Sequence, residues 1–254
     1  MATKKKAAKK RATAKKASAS KKASASKKAV TMVLDVGGSH VKVLAEGQTE
    51  PVLIDSGKTM TAAKMVTAVK AVTATLKYTR ISIGYPGPVV DGHPLIDPYN
   101  LGPGWVRFDF EKAFGCPVKL INDAAMQALG SYEGGRMLFV GLGTGLGTAM
   151  IVGGKLLPLE LAHLTYKKGL TYEDFVGLRG LEKFGKKKWR KYVTEIVEQF
   201  EHALETDYVV IGGGNARLLE TMPPGARLGE NKNAFRGGFR LWEPGRMKDW
   251  EKHG

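Results

Sequence analysis

Two carboxylates, Asp35 and Asp123, stand where apolar runs end, and three glycine clusters stand in similar places: "LDVGGS" at 34–39, "FVGLGTGLGT" at 139–148 and "VVIGGGN" at 209–215. A glycine at a strand end lets the backbone turn sharply and lets N–H groups approach an anion without interference from a Cβ. One such turn is commonly a hairpin or a bulge. Three in one chain, two of them with Ser or Thr hydroxyls, point to a cradle for a nucleotide or another phosphate. Asp35, just before its glycines, suits a carboxylate that holds Mg²⁺ or its waters beside a phosphate. Asp123 follows "KLIN" and should emerge at the carboxyl end of a buried strand, placed to take the proton of an attacking hydroxyl. Each acid has a plainer reading as a turn or capping residue, and "NDA" before "AMQAL" suits a helix N-cap.

Two familiar phosphate motifs do not fit. "DSGKT" at 55–59 would need a glycine at position 52 to be a P-loop, and Val52 stands there. In "GLGTGLGT" the third glycine of G-x-G-x-x-G falls on Leu146 or Thr148, which argues against a dinucleotide-binding Rossmann unit.

The elements that must position these residues alternate between strands and helices. Short Val/Ile/Leu-rich runs at 31–36, 40–45 and 51–54 predict consecutive strands. Met65, Val66, Val69, Val72 and Leu76 predict an amphipathic helix over 61–76. Strands are expected at 80–87 and 118–124, two more across 136–154, a long helix at about 187–204, and a strand, glycine turn and helix start over 208–220. The fold class is α/β.

The chain has 254 residues and carries 40 Lys and Arg against 24 Asp and Glu. Residues 1–29 hold 11 Lys and Arg11 with no acid, which leaves 28 basic and 24 acidic residues for an ordinarily charged remainder. "KKASAS" occurs at 15–20 and 21–26, and such a segment is expected to be a disordered basic tail. It reads either as a nonspecific ligand for a polyanion, nucleic acid or polyphosphate, or as a solubilising extension. It has no apolar positions from which to build a DNA-reading helix-turn-helix. The single cysteine, Cys116, excludes an intrachain disulfide framework. No apolar run approaches the ~20 residues of a membrane span, and no apolar stretch follows the N-terminal lysines as in a secretory signal, so a cytoplasmic protein with no membrane contact is expected.

In order along the chain, "DVGGSHVKV", "GYPGPVVDG", "NLGPGW", "INDA", "GLGTGLG", "LELAHL" and "IGGGNARLL" together resemble the ROK family of sugar kinases, and within it the polyphosphate glucokinases, in the actin/hexokinase/heat-shock-protein ATPase superfamily. The resemblance covers nearly all of 30–242. It implies two ribonuclease-H-like lobes, 30–122 and 123–254, with a cleft between them. It assigns phosphate or donor binding to Asp35, Gly37, Gly38, Ser39 and Lys42, to Gly143, Thr144, Gly145 and Gly147, and to Gly212, Gly213, Gly214 and Asn215. It assigns sugar hydroxyls to Asn100, Asn122, Glu160 and His163, and the general base to Asp123.

The implied reaction passes a phosphoryl group from polyphosphate or ATP to the 6-hydroxyl of a hexose, glucose first, with Mg²⁺ near Asp35. The alternatives are an ATP-only kinase for another hexose, or a non-catalytic binder of sugar and polyanion. Typical family members carry a cysteine-rich zinc site after their E-x-G-H element; here "LTYKKGLTYEDFVG" follows, so no zinc is expected. Ala162 replaces the glycine of that element. The basic segment "KFGKKKWRK" at 183–191 favours polyphosphate, and a homodimer is expected.

Overall fold

A computed structural model describes residues 29–230 and 232–243; residues 1–28 of the basic tail, residue 231 and the C-terminal residues 244–254 lie outside the described residues. The first half forms β1 (Thr31–Val36), β2 (His40–Ala45), β3 (Val52–Asp55), α1 (Ala62–Val72), β4 (Arg80–Tyr85), a small hairpin of β5 (Val89–Val90) and β6 (His93–Pro94), α2 (Phe110–Phe114) and β7 (Val118–Asn122). Its sheet has the order β3-β2-β1-β4-β7, antiparallel among β1, β2 and β3 and parallel from β1 through β4 to β7.

The chain continues through α3 (Asp123–Ser131), β8 (Arg136–Leu142), β9 (Leu146–Val152), β10 (Lys155–Leu159), a 3₁₀ turn Leu161–His163, β11 (Thr165–Lys167), β12 (Leu170–Thr171), α4 (Tyr172–Val176) and α5 (Leu178–Leu204). It ends with β13 (Tyr208–Gly212), a 3₁₀ turn Ala216–Leu218, β14 (Ala226–Leu228) and α6 (Asn233–Arg240). The second sheet, β10-β9-β8-β13-β14, repeats the order and strand directions of the first. The chain is therefore a duplicated α/β architecture of ribonuclease-H-like lobes.

Two helices differ from the periodicity. α1 stops at Val72: Thr73 is its C-cap, at φ −110° and ψ 14°, with its N–H and its hydroxyl (2.7 Å) both donating to the Val69 carbonyl, so Leu76 lies beyond the helix. α5 starts nine residues earlier than the apolar stripe predicts. Its first part is fixed by the Leu178 N–H donating to the Thr144 carbonyl (3.0 Å), and Gly185, at φ 70° and ψ 161°, interrupts the helical geometry.

Each sheet's fifth strand leads into a helix, and those helices, α3 and α6, cross between the sheets. A Cβ on Gly130 would lie 1.8 Å from the Asn233 carbonyl oxygen, and one on Gly237 would lie 1.8 Å from that of Met126, so the two backbones touch. Only glycine permits this approach. α6 then lies on the first sheet: the Ser82 hydroxyl donates to the Gly238 carbonyl (2.6 Å) and accepts from Trp242 Nε1 (2.9 Å). Arg240 donates to the Leu129 carbonyl (2.7 Å), closing the far end of α3. Residues 233–240, beyond the expected 122/123 boundary, thus share a core with Val33 of β1 as well as with α3.

Candidate active site

β1, β4 and β7 carry Asp35, Gly84 and Ile121 side by side in register. α3 begins two residues after Ile121. Asn122 is its N-cap, with Oδ1 accepting the Ala125 N–H (3.0 Å) while Nδ2 donates to the Gly87 carbonyl (3.1 Å). The capping reading of "NDA" therefore holds for Asn122, and the two bonds leave one N–H and one Oδ1 lone pair of its amide for the sugar hydroxyl expected there. Asp123 is the first residue of the helix. A Cβ on Gly84 would lie 2.4 Å from Met126 Cε and 3.6 Å from Asp123 Cα, so the glycine lets the first turn of α3 lie directly on the sheet.

The Asp123 carboxyl is pushed up to about 7, first by burial and then by the neighbouring charge of Asp35, with a smaller contribution from Glu160; the hydrogen bond from the Ala124 N–H to Oδ1 (2.8 Å) opposes the rise. A base with that pKa is half ionised near neutrality, where proton abstraction works best. Asp35 is itself buried and faces Lys42 across the β1–β2 ladder, with Lys42 Nζ 2.9 Å from Oδ2.

The first glycine turn is held from below. Ser56 Oγ donates to the Gly37 carbonyl (2.6 Å) and Ser56 N–H to that of Ser39 (2.9 Å). A Cβ on Gly38 would come within 3.0 Å of the Asn100 Cβ, so the expected sugar ligand Asn100 stands against the expected phosphate turn. Its loop is organised by Asp97, which accepts from the N–H groups of Gly104, Trp105 and Val106 and whose carboxyl those bonds lower.

The second turn meets α3: a Cβ on Gly147 would lie 2.8 Å from the Ala124 Cβ. The third is stitched to the second, because Asn215 donates through Nδ2 to the Gly143 carbonyl (3.0 Å) and through its N–H to that of Leu142 (2.9 Å). The fold thus brings Gly143, Thr144, Gly145 and Gly147 together with Gly212, Gly213, Gly214 and Asn215. Asn215 braces this pair of turns. The N–H groups of Gly38, Ser39, Thr144 and Gly145 have no hydrogen-bond partner among the described residues.

Glu160 and His163 sit at the rim, with Glu160 Oε2 3.9 Å from His163 Nε2 and both exposed. Two residues outside the expected set position this region. Thr148 Oγ1 donates to the Leu159 carbonyl (2.9 Å) and accepts the Leu161 N–H (3.3 Å), threading Glu160 between two bonds anchored on the second glycine strand. Glu173 accepts the Leu146 N–H (3.0 Å), and its carboxylate lies where a side chain on Gly145 would fall. Thr148 is visible in the sequence as the last residue of the glycine motif; Glu173 carries no local signal.

Among the described residues no three His, Cys, Asp or Glu side chains form a metal cluster. Mg²⁺ needs less, taking one or two carboxylates together with water and substrate phosphates. Asp35, with Asp123 close enough for their charges to interact, fits that donor set. Among the described residues no helix is long and apolar enough to cross a membrane.

A duplicated α/β fold whose glycine turns flank an acid at a helix start defines the class of two-lobed actin-like folds. A sequence profile of the ROK family matches residues 31–158, half of the chain, and the protein belongs to that family. It is similar to a polyphosphate glucokinase of Mycobacterium leprae, 27% identical over 208 residues, a match covering 75% of this chain and 61% of that protein. The matched region thus spans about three fifths of that curated relative. In structure it resembles the inorganic polyphosphate/ATP-glucomannokinase of Arthrobacter sp. strain KM, with a TM-score of 0.69, 23% identity and coverage of 82% of this chain and 96% of that one. It also resembles a ROK family glucokinase of Streptomyces griseus solved with glucose and AMPPNP, with a TM-score of 0.68, 17% identity and coverage of 84% and 98%.

Proposed function

We propose that the protein is a hexose kinase that passes a phosphoryl group from polyphosphate or ATP to the 6-hydroxyl of glucose. The observation that carries this reading is the Asp123 carboxyl, pushed up to about 7 at the start of α3 and flanked by Asp35 and the second glycine turn. An acid held there to cap a helix would gain nothing from the burial and the like charge that raise it. A proton acceptor gains a pKa matched to neutral pH.

In the reaction, Asn100, Asn122, Glu160 and His163 hold the sugar so that its hydroxyl faces Asp123. The proton goes to the Asp123 carboxylate as the oxygen bonds to the terminal phosphorus, and the bridging P–O bond to the rest of the donor breaks. ADP or a polyphosphate shorter by one residue leaves. The unpaired N–H groups of Gly38, Ser39, Thr144 and Gly145 face the donor's oxygens, and Lys42 adds positive charge beside Asp35. Mg²⁺ held through Asp35 and water would offset negative charge on the phosphates.

The names of the relatives support the donor and the acceptor, and the glycine turns suit either donor. A matrix of donors (ATP, polyphosphates of several lengths) against acceptors (glucose, mannose, fructose, N-acetylated hexoses) tests the reading. Phosphorylation of glucose with at least one donor, lowered about 10²- to 10⁴-fold by Asp123→Asn, is expected. No phosphorylation of any hexose would overturn it.

A further inference from the structure

α5 carries a concentration of charge that the proposed reaction leaves unused. After the break at Gly185, Lys186, Lys187 and Lys188 open a helical stretch that runs to Leu204. The first turn of a helix is the positive end of its dipole, where cations are unfavourable. Three consecutive lysines there, followed by Arg190 and Lys191, oppose helix stability. The turn is not a loose end, because Trp189 is fully buried within it and donates from Nε1 to the Val176 carbonyl (2.9 Å).

Lys186, Lys187, Lys188 and Lys191 are exposed and make no ion pair with any described residue. Arg190, by contrast, is fixed. Its Nε donates to the Leu218 carbonyl (2.7 Å) and its guanidinium pairs with Glu220. Leu218 ends the 3₁₀ turn that starts directly after Asn215, so Arg190 joins the lysine face to the third glycine turn. Lys187, Arg190, Lys191, Thr194, Glu220 and Thr221 line a shallow depression of about 230 Å³. Lys187 and Lys191 stand one turn apart, ~6 Å along the axis.

We propose that this face binds the distal phosphates of a polyphosphate whose reacting end lies in the glycine turns; the inference rests on the donor reading above. ATP ends in an uncharged nucleoside and offers these lysines nothing to neutralise. A polyphosphate continues with negative charge at every residue, and releases counterions as each is neutralised. Lysine ammonium groups suit such a chain because they bind phosphate as point charges, without a fixed geometry. Single-stranded nucleic acid fits less well, since its bases need exposed aromatic platforms and the one aromatic residue of the segment 186–191, Trp189, is buried.

The test uses the full chain and the double variant Lys187→Gln/Lys191→Gln. Steady-state kinetics are measured with long-chain polyphosphate, tripolyphosphate and ATP, and binding of long-chain polyphosphate is titrated at two salt concentrations. The KM and Kd for the long chain should rise about 10-fold and the salt dependence should flatten, while kcat/KM for tripolyphosphate and ATP stays within about twofold. Lys187→Arg/Lys191→Arg should restore long-chain affinity, which a merely misfolded variant could not show. Unchanged long-chain affinity, or an equal loss with tripolyphosphate, overturns the proposal. So does a loss of affinity for single-stranded RNA without one for polyphosphate. Were the wild type to transfer phosphate from no donor, the kinase reading would fall, and the binding titration alone would decide the lysine face.

Discussion

The two sheets share one topology and differ at the position that matters most. In the first, the last pairs of the β1–β2 ladder are Asp35 with Lys42 and Val36 with Val41, followed by a turn of four residues. In the second, the corresponding β8–β9 pairs are Gly141 with Gly147 and Leu142 with Leu146, around a turn of three. Thus where one lobe places an acid and a base, the other places two glycines. The helices after the fifth strands differ likewise, since α3 opens with the Asp123 carboxyl and α6 with Asn233, which is buried and donates to Ser131 Oγ (2.8 Å). At these matched positions the first sheet and its helix carry ionisable side chains, and the second sheet and its helix carry glycines or a neutral amide. The two sheets offer equivalent frames, and matched ladder positions carry different side chains.

That division can be broken most severely at Asp123. Asp123→Asn should lower kcat by about 10²- to 10⁴-fold with an unchanged circular dichroism spectrum. Activity within tenfold of wild type would mean the acid-bearing lobe is not where the chemistry lies. In the wild type, kcat/KM should rise with pH to a plateau along a limb centred near 7, the pKa of the Asp123 carboxyl, and a limb near 4 would contradict its environment.

The same variant gives the next effect, in stability. Because burial and Asp35 raise Asp123 when folded, its contribution is fully present below about pH 4 and is lost as pH rises through about 7. Asp123→Asn should therefore stabilise the protein at pH 8 relative to pH 4, by at most about 4 kcal/mol, read as a difference between urea titrations at the two pH values.

Smaller effects belong to the glycine-bearing lobe. Gly147→Ala forces a methyl against Ala124 and should cost about 1–3 kcal/mol in the same titration, with a fall in kcat as the start of α3 is displaced. Gly143→Ala meets nothing within 4 Å and should alter stability by less than about 0.5 kcal/mol while raising the KM for donor. Equal stability losses at both positions would show that the second turn acts as one packed unit.

Much of this arrangement was legible in the chain. Strands running into glycines are local patterns, and β1, β2, β4, β8, β9 and β13 fall where the apolar runs predict. α1 is shorter than its apolar period because the spacing of Val72 and Leu76 does not register that the backbone leaves helical geometry at Thr73. The early start of α5 escaped because its anchor, the Thr144 carbonyl, lies 34 residues away in sequence. Glu173 escaped for the same reason, since nothing near it announces that its carboxylate will receive the Leu146 N–H. Asn122 shows the converse case: its type and place fit both a ligand and a cap, and the hydrogen bonds that make it a cap leave one N–H and one oxygen lone pair of the same amide for a ligand.

The sequence by itself determined the alternating α/β elements, the three glycine turns and the acids at strand ends, because these depend on side-chain size, backbone freedom and local periodicity. Only the tertiary structure decided that Asp35 and Asp123 share one neighbourhood and that α3 and α6 touch backbone to backbone through Gly130 and Gly237. It likewise decided that Arg190 ties a lysine face to the third turn. Those are relations between distant segments, set by close packing and by mutual charge, and no local stretch of chain contains them.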